Sequence, residues 1–475
     1  MLFVSLVFLF LFLPLNLGLY YLLKGHRKIQ NIILFLASLF FYAWGEPKFL
    51  VILIVSIIVN WALAVLIARN KIRIIKKTLL SISIILNIGM LFVFKYLNFF
   101  VNQINCLDGI NITIKEIALP IGISFFTFQA LSYVVDVYRG EKCQKSPFYV
   151  GLYIAFFPQL IAGPIVRYNS IESQIMNRRE TIEGFKQGII RFTQGFVKKV
   201  LLANTMAVIA DKAFETVGGN LTVSFAWLGA VAYTLQIFFD FSGYSDMAIG
   251  LGKMFGFNFE ENFNFPYMSK SITEFWRRWH ISLSTWFRDY VYIPIGGNRT
   301  GSSLRNYFNL FVVWLLTGVW HGANWTFIAW GLLYFVFLIL EKATAYGVFI
   351  KKHKIIGHIY TLFVVNLLWV IFRADGIKQA LLYIRTMFGI ANVEFYSGQM
   401  WVYIKENIVY LCFAILLSTN ILSRIKKALV QRTINSTRKQ VFIHVVGELC
   451  LFVLFLVAIV YVINGTYNPF IYFHF

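Results

Sequence analysis

Residues 49–68 read FLVILIVSIIVNWALAVLIA, a stretch without a single charged side chain. A helix of that length rises ~30 Å at ~1.5 Å per residue, enough to cross the hydrocarbon core of a bilayer. Comparable apolar runs recur at about Ile32–Trp44, Leu79–Phe100, Tyr360–Phe372, Ile408–Leu422 and Phe442–Ile463. The composition agrees with them: of 475 residues, 59% are hydrophobic and 13% charged, about half the charged share of a soluble domain. The short alternating segments of a membrane β-barrel are absent. The expected fold is therefore all-α, a polytopic membrane protein of about ten to twelve spans on length grounds. Leu2–Leu23 reads as a retained first span, because it lacks a basic leader and is too long for a signal core.

The formal net charge is +22, which could suggest a nucleic-acid partner. Here, though, Lys and Arg gather in short loops between apolar runs, the pattern of positive-inside topology and of attraction to anionic lipid. Lys24, Arg27 and Lys28 mark one inner loop, and Arg69, Lys71, Arg73, Lys76 and Lys77 mark another. Gly45-Glu46-Pro47-Lys48 then turns a hairpin outside, the stretch Asn102–Lys115 faces outward, and the N-terminus lies outside. Lys351, Lys352 and Lys354, and later Arg424, Lys426, Lys427, Arg432, Arg438 and Lys439, mark inner loops that leave the C-terminus outside as well. The expected location is a cell membrane.

The chain reads as one domain over 1–475, with N-terminal spans in 1–104, a core in 117–342 and C-terminal spans in 355–475. From about Ile117 to Ser271 the apolar runs are broken by Pro120, Pro158, Gly163 and Pro164 and carry Asp136, Arg167, Asp240 and Asp246. Irregular backbone and ionisable groups at membrane depth need protein or a water-filled cavity around them. The centre is thus the expected machinery. Cys106, Cys143, Cys412 and Cys450 stand apart, so neither a disulfide framework nor a metal site is expected. Nucleotide-hydrolysis, zinc-protease and serine-elbow motifs are absent, Gly243-Tyr244-Ser245-Asp246-Met247 coming nearest to the last. Asp136, Asp240 and Asp246 are expected to make interior hydrogen bonds, with a proton relay through the latter two as the sharper alternative.

Two blocks in the core carry chemistry. Ser271-Ile272-Thr273-Glu274 fits a capping box, with Ser271 accepting the Glu274 N–H and Glu274 reaching back. A helix is expected to run from there through Asp289. Trp276, Trp279, Leu283, Trp286 and Phe287 recur on one face of it, and Arg277, Arg278 and Arg288 supply positive charge. The simpler reading is an anchor at the inner membrane boundary, the sharper one a cradle for an anionic donor. Pro294–Arg299 reads as a turn. An apolar helix follows from about Asn306 to Trp320, and then Trp320-His321-Gly322-Ala323-Asn324-Trp325. Roughly 15 residues from the inner surface rise only ~22 Å, so His321 is expected at membrane depth, at a helix break beside Gly322. A lone buried His is as often satisfied by a carbonyl as functional. Here the break and a second central histidine, His280, favour function. Imidazole suits general-base chemistry near neutrality.

These residues resemble the membrane-bound O-acyltransferase family, in the bacterial branch typified by alginate O-acetylation. The resemblance rests on Phe156 through Tyr168, Asp240 through Asp246, Phe275 through Gly297 and Trp320 through Trp325, and extends to Asn468–Phe473. It implies a ring of helices around a thinned centre, with a tunnel that meets the histidine. His321 matches the family's catalytic histidine and His280 its second motif histidine. Asn324, Trp320, Trp325, Arg277, Arg278, Trp279, Arg288, Asp289 and Asp240 are the candidate tunnel and donor-binding residues. The resemblance further implies acetyl-CoA as donor with no permanently bound cofactor, a separate extracytoplasmic esterase-fold partner, and a polysaccharide acceptor. In the related D-alanylation proteins an aminoacylated carrier protein is the donor instead. The wording of Tyr292 through Arg299 is closer to the alginate type. A transporter for a lipid-linked sugar, or an inert scaffold for a secreted transferase, are readings of a different class. A transporter would show paired interrupted helices in two repeated halves, whereas this chain interrupts only its centre.

Overall fold

A computed structural model describes residues 1–107, 110–161, 163–299, 301–433 and 436–465, with the side chains of Lys351 and Thr437 excluded. Residues 468–473 of the family resemblance lie outside the described residues, as does Ala162. Among the described residues every regular element is helical. Among the described residues eight helices are long and apolar enough to cross a membrane: Arg27–Gly45, Pro47–Arg69, Arg73–Ile104, Val223–Met254, Trp325–Ala343, Lys354–Arg373, Gly398–Leu417 and Arg438–Asn464. Phe8–Leu22 is a shorter apolar helix. This is an all-α polytopic membrane protein. The expectation of about ten to twelve spans rests on length alone and exceeds the eight among the described residues.

The chain divides into two compact units, residues 1–189 with 247–260, and residues 190–246 with 261–475. In the first, the Pro and Gly breaks act as expected. Pro147–Ala155 stops at Phe156, Phe157–Leu160 forms a single turn, and Tyr168–Asn177 resumes. The freed groups find partners inside the unit: Phe157 N–H donates to Ser38 Oγ at 3.1 Å and the Tyr153 hydroxyl to the Val166 carbonyl at 2.9 Å. Such internal satisfaction is what lets irregular backbone persist at this depth. Arg167 pairs with Glu260 at 3.0 Å.

The second unit holds both histidines. Its backbone element is Val223–Met254, continuous over 32 residues and buried along most of its length; Met247 onward belongs to the first unit. An aromatic core made of Phe275, Trp276, Trp279, Trp314, Trp330, Tyr334 and Trp369 fills the second unit. The Trp276 ring meets those of Trp314 at 4.7 Å and Tyr334 at 4.9 Å, both in edge-on geometry, the arrangement the ring quadrupoles favour.

Ser303–His321 and Trp325–Ala343 form a tight antiparallel hairpin in this unit. A Cβ on Gly331 would sit 2.5 Å from the Trp314 carbonyl oxygen, and one on Gly318 would sit 2.6 Å from that of Phe327. The two backbones therefore touch without side chains between them, as small residues permit in membrane helix pairs.

Candidate active site

His321 ends its helix as expected, and Gly322 follows in extended conformation at φ −174°. That φ is open to any residue, so chain reversal does not demand glycine. Room does: a Cβ on Gly322 would lie 2.3 Å from the Phe327 ring. Asn324 then caps the next helix, its side chain accepting the Thr326 N–H at 3.1 Å while its Nδ2 donates to the Asp375 carbonyl at 2.9 Å. Asn324 is thus a cap that fixes the hairpin turn. Trp325 is 52% exposed and does not join the buried site.

The His321 imidazole is 8% exposed. Rings of Trp320, Trp330 and Phe372 surround it at centroid distances of 4.9, 5.0 and 5.2 Å, all edge-on. The Trp320 ring also lies 6.1 Å from that of His280, so one indole stands beside both histidines.

The expected continuous helix from Ser271 to Asp289 is instead two, Ile272–Arg278 and Ile281–Phe287, followed by a wider turn at Arg288–Tyr292. Half of the capping box forms as expected, with the Glu274 N–H donating to Ser271 Oγ at 3.0 Å; the Glu274 carboxylate reaches one residue further back, to the Lys270 N–H at 3.0 Å. Glu341 adds a second cap, accepting the Ile272 and Thr273 N–H groups. The break falls at His280, which adopts φ +45° and ψ +54°, a left-handed conformation that costs a non-glycine residue about 1–3 kcal/mol. The irregular segment Asn262–Asn264 compensates for the lost helical bonds. Its Asn264 N–H donates to the Arg278 carbonyl at 2.9 Å, and its Asn262 carbonyl accepts the Ile281 N–H at 3.0 Å. The interrupted helix carries His280 into the interior, where it is 1% exposed. Trp276, Trp279, Leu283, Trp286 and Phe287 are buried in protein too, which corrects the reading of this segment as an anchor in the membrane boundary.

Burial holds the His280 imidazole neutral, pushing its pKa down to about 3. It sits between two short helices that are not among the spans. The Phe241 ring meets it edge-on at 4.5 Å, and its Nδ1 lies 3.1 Å from Asn262 Oδ1.

Asp240 and Asp246 are ion-paired rather than merely hydrogen-bonded. Asp240 meets Lys199 at 2.8 Å with both side chains 2% exposed, and Asp246 meets Lys198 at 2.6 Å and Arg191 at 2.7 Å. Arg191 also holds Glu261 at 2.5 Å. Among the candidate donor-binding cations, Arg278 pairs with Glu274 at 2.8 Å and Arg288 with its neighbour Asp289 at 2.7 Å, while Arg277 is exposed. Among the described residues no group of three or more His, Cys, Asp or Glu is arranged to hold a metal ion.

The geometry therefore brings His280, Trp320 and His321 together inside one unit, while Trp279 packs on Trp369 in the aromatic core and Asp240 pairs with Lys199. A model of the membrane-bound O-acyltransferase family matches residues 110–378, more than half of the chain. The chain belongs to the membrane-bound O-acyltransferase family. Over 386 residues it is 46% identical to a probable alginate O-acetylase of Pseudomonas aeruginosa, covering 80% of this chain and 73% of that protein. It is 36% identical over 423 residues to a peptidoglycan O-acetyltransferase of Helicobacter pylori, covering 82% of this chain and 80% of that one. A teichoic acid D-alanyltransferase of Bacillus subtilis is 34% identical over 252 residues, 49% of this chain and 60% of its own. The protein is a multi-pass membrane O-acyltransferase, and the transporter and scaffold readings fall away.

Sequence reasoning for this O-acyltransferase passes over Asn262, Lys199, Ser282 and Glu341. Asn262 and Ser282 gave no periodic signal because each acts across a tertiary contact. Lys199, in the run Phe196-Val197-Lys198-Lys199-Val200, could have been found as a lysine inside an apolar stretch that needs a buried carboxylate.

Proposed function

We propose that this O-acyltransferase takes an acetyl group from cytoplasmic acetyl-CoA and delivers it, at His321, for O-acetylation of a polysaccharide outside the cell. The observation that carries the reading is the seating of two buried imidazoles beside Trp320, in a chain whose extensive relatives are named for O-acetyl transfer. His321 takes the proton of an acceptor hydroxyl as its oxygen attacks the acetyl thioester carbonyl. The C–S bond then breaks, and the departing thiolate receives a proton from the His321 imidazolium. His280 orients the reacting groups or assists the proton transfer. Arg277, Arg278 and Arg288 provide positive charge for the donor's phosphates. The acceptor hydroxyl belongs to a polysaccharide or to an extracytoplasmic esterase-fold partner that completes the transfer.

D-alanyl transfer from a carrier protein is the second reading, favoured by the D-alanyltransferase similarity over about half of the chain. Purified protein in lipid nanodiscs, supplied in parallel with radiolabelled acetyl-CoA or with a carrier protein bearing radiolabelled D-alanine, discriminates the two. Label transfer to a hydroxyl acceptor supports the proposal, and label transfer only from a D-alanyl carrier supports the alternative. A positioned general base contributes about 10²–10⁴-fold, so His321→Ala is expected to lose that factor while accumulating in the membrane normally. Wild-type turnover in that variant would remove His321 from the mechanism.

A further inference from the structure

Asn262 Oδ1 sits where three hydrogen-bond groups converge: the Ser282 backbone N–H at 3.1 Å, the Ser282 hydroxyl at 2.9 Å and His280 Nδ1 at 3.1 Å. A backbone N–H can only donate, so the atom facing it is the amide oxygen and not the nitrogen. The opposite end of the amide agrees, since Asn262 Nδ2 donates to Ser245 Oγ at 3.0 Å. Asn262 is itself 1% exposed, and its backbone carbonyl is tied to the Ile281 N–H. The side chain is therefore fixed at both ends and cannot flip its oxygen for its nitrogen without losing these bonds.

An amide oxygen only accepts, so His280 Nδ1 must carry a hydrogen to face it at this distance. A neutral imidazole has one N–H, and the bond made by one ring nitrogen decides the state of the other. His280 Nε2 is buried and has no hydrogen-bond partner among the described residues. We propose that Asn262 is the positioning residue that locks His280 as its Nδ1–H tautomer and leaves Nε2 as a bare acceptor. The left-handed backbone at His280 serves the same end, turning the ring toward Asn262 and Trp320 instead of along the aromatic helix face. The assignment rests on His280 as a participant in acyl transfer and narrows its part. The substrate group that meets it must offer a hydrogen, as an acceptor hydroxyl or a donor amide N–H does, whereas a thioester carbonyl oxygen would be repelled. His280 accordingly accepts a proton or hydrogen bond and does not act as an electrophilic donor to the carbonyl.

The test reads the imidazole directly and needs no acyl donor, so its outcome is independent of whether acetyl-CoA is the substrate. Full-length protein is labelled with ¹⁵N-histidine in lipid nanodiscs, and His280→Gln assigns the resonance. The expected wild-type signal at pH 7 is a protonated Nδ1 with an unprotonated Nε2. Asn262→Asp keeps an acceptor at the same place but adds a negative charge, which favours the imidazolium. Its His280 is expected to become doubly protonated at a pH where wild type stays neutral. A merely structural asparagine would leave the resonance pattern unchanged in the Asp variant. That result, or an Nε2–H tautomer in wild type, overturns the proposal.

Discussion

At the scale of single residues, the two histidines differ in how they could be found. His321 follows from an apolar helix that ends in Trp-His-Gly, because the rise per residue alone places it at depth. The neighbours that decide its surroundings, Trp330 and Phe372, come from later helices and leave no local mark. Apart from the family resemblance, His280 reads as a histidine in an aromatic helix, and its burial depends on a chain break that no helix propensity announces. Asn262, which makes that break possible, sits between Glu261 and Phe263 in a stretch without periodicity. The burial of His280 also has a pH signature. Its folded-state pKa lies near 3, below the ~6.5 of an unfolded histidine, so the unfolded chain binds the extra proton. This contribution to stability is intact above about pH 6.5 and is lost as pH falls toward 3. The thermal midpoint in detergent is expected to drop between pH 7 and pH 5, and His280→Gln should lessen that drop. An identical decline in the variant would separate His280 from the acid sensitivity.

At the scale of elements, the sequence places five of the eight spans to within about six residues at either end, because hydropathy and basic flanks are local properties. It ended one span at Leu422, whereas the helix stops at Leu417 and a separate helix, Ile421–Arg432, begins. That second helix is amphipathic, and its apolar residues ran on from the span before it. Val223–Met254 was harder to read. Its aspartates look like obstacles to a membrane helix until Lys198 and Lys199 are placed beside them. Removing one member of a buried ion pair leaves an uncompensated charge, at a cost of about 3–5 kcal/mol, whereas replacing both by well-packed apolar residues is often close to neutral. Lys199→Met and Asp240→Asn are each expected to lower the melting temperature markedly, and Lys199→Met with Asp240→Leu should recover much of the loss. Purified variants compared by tryptophan fluorescence melting check this. A double variant no better than the singles would mean that the pair holds more than its own charge.

At the scale of the whole molecule, charge bias predicts a topology that packing alone does not express. The stretch after Arg73–Ile104 should face outward, and it carries Cys106, which is exposed. A membrane-impermeant maleimide applied to intact spheroplasts is expected to modify Cys106, and Cys106→Ser should abolish that label. Labelling only after lysis would invert the assignment of the first four spans. The hairpin that ends in His321 bears on how such a chain is made. Ser303–His321 is not among the helices apolar enough to cross by themselves, while Trp325–Ala343 is. With their backbones in contact at Gly318 and Gly331, the weaker helix enters the bilayer together with the stronger as a preassembled pair. A bulky residue at Gly331 would thus act during biogenesis, stranding a half-inserted nascent chain for quality control, and its phenotype would be missing protein instead of slow enzyme.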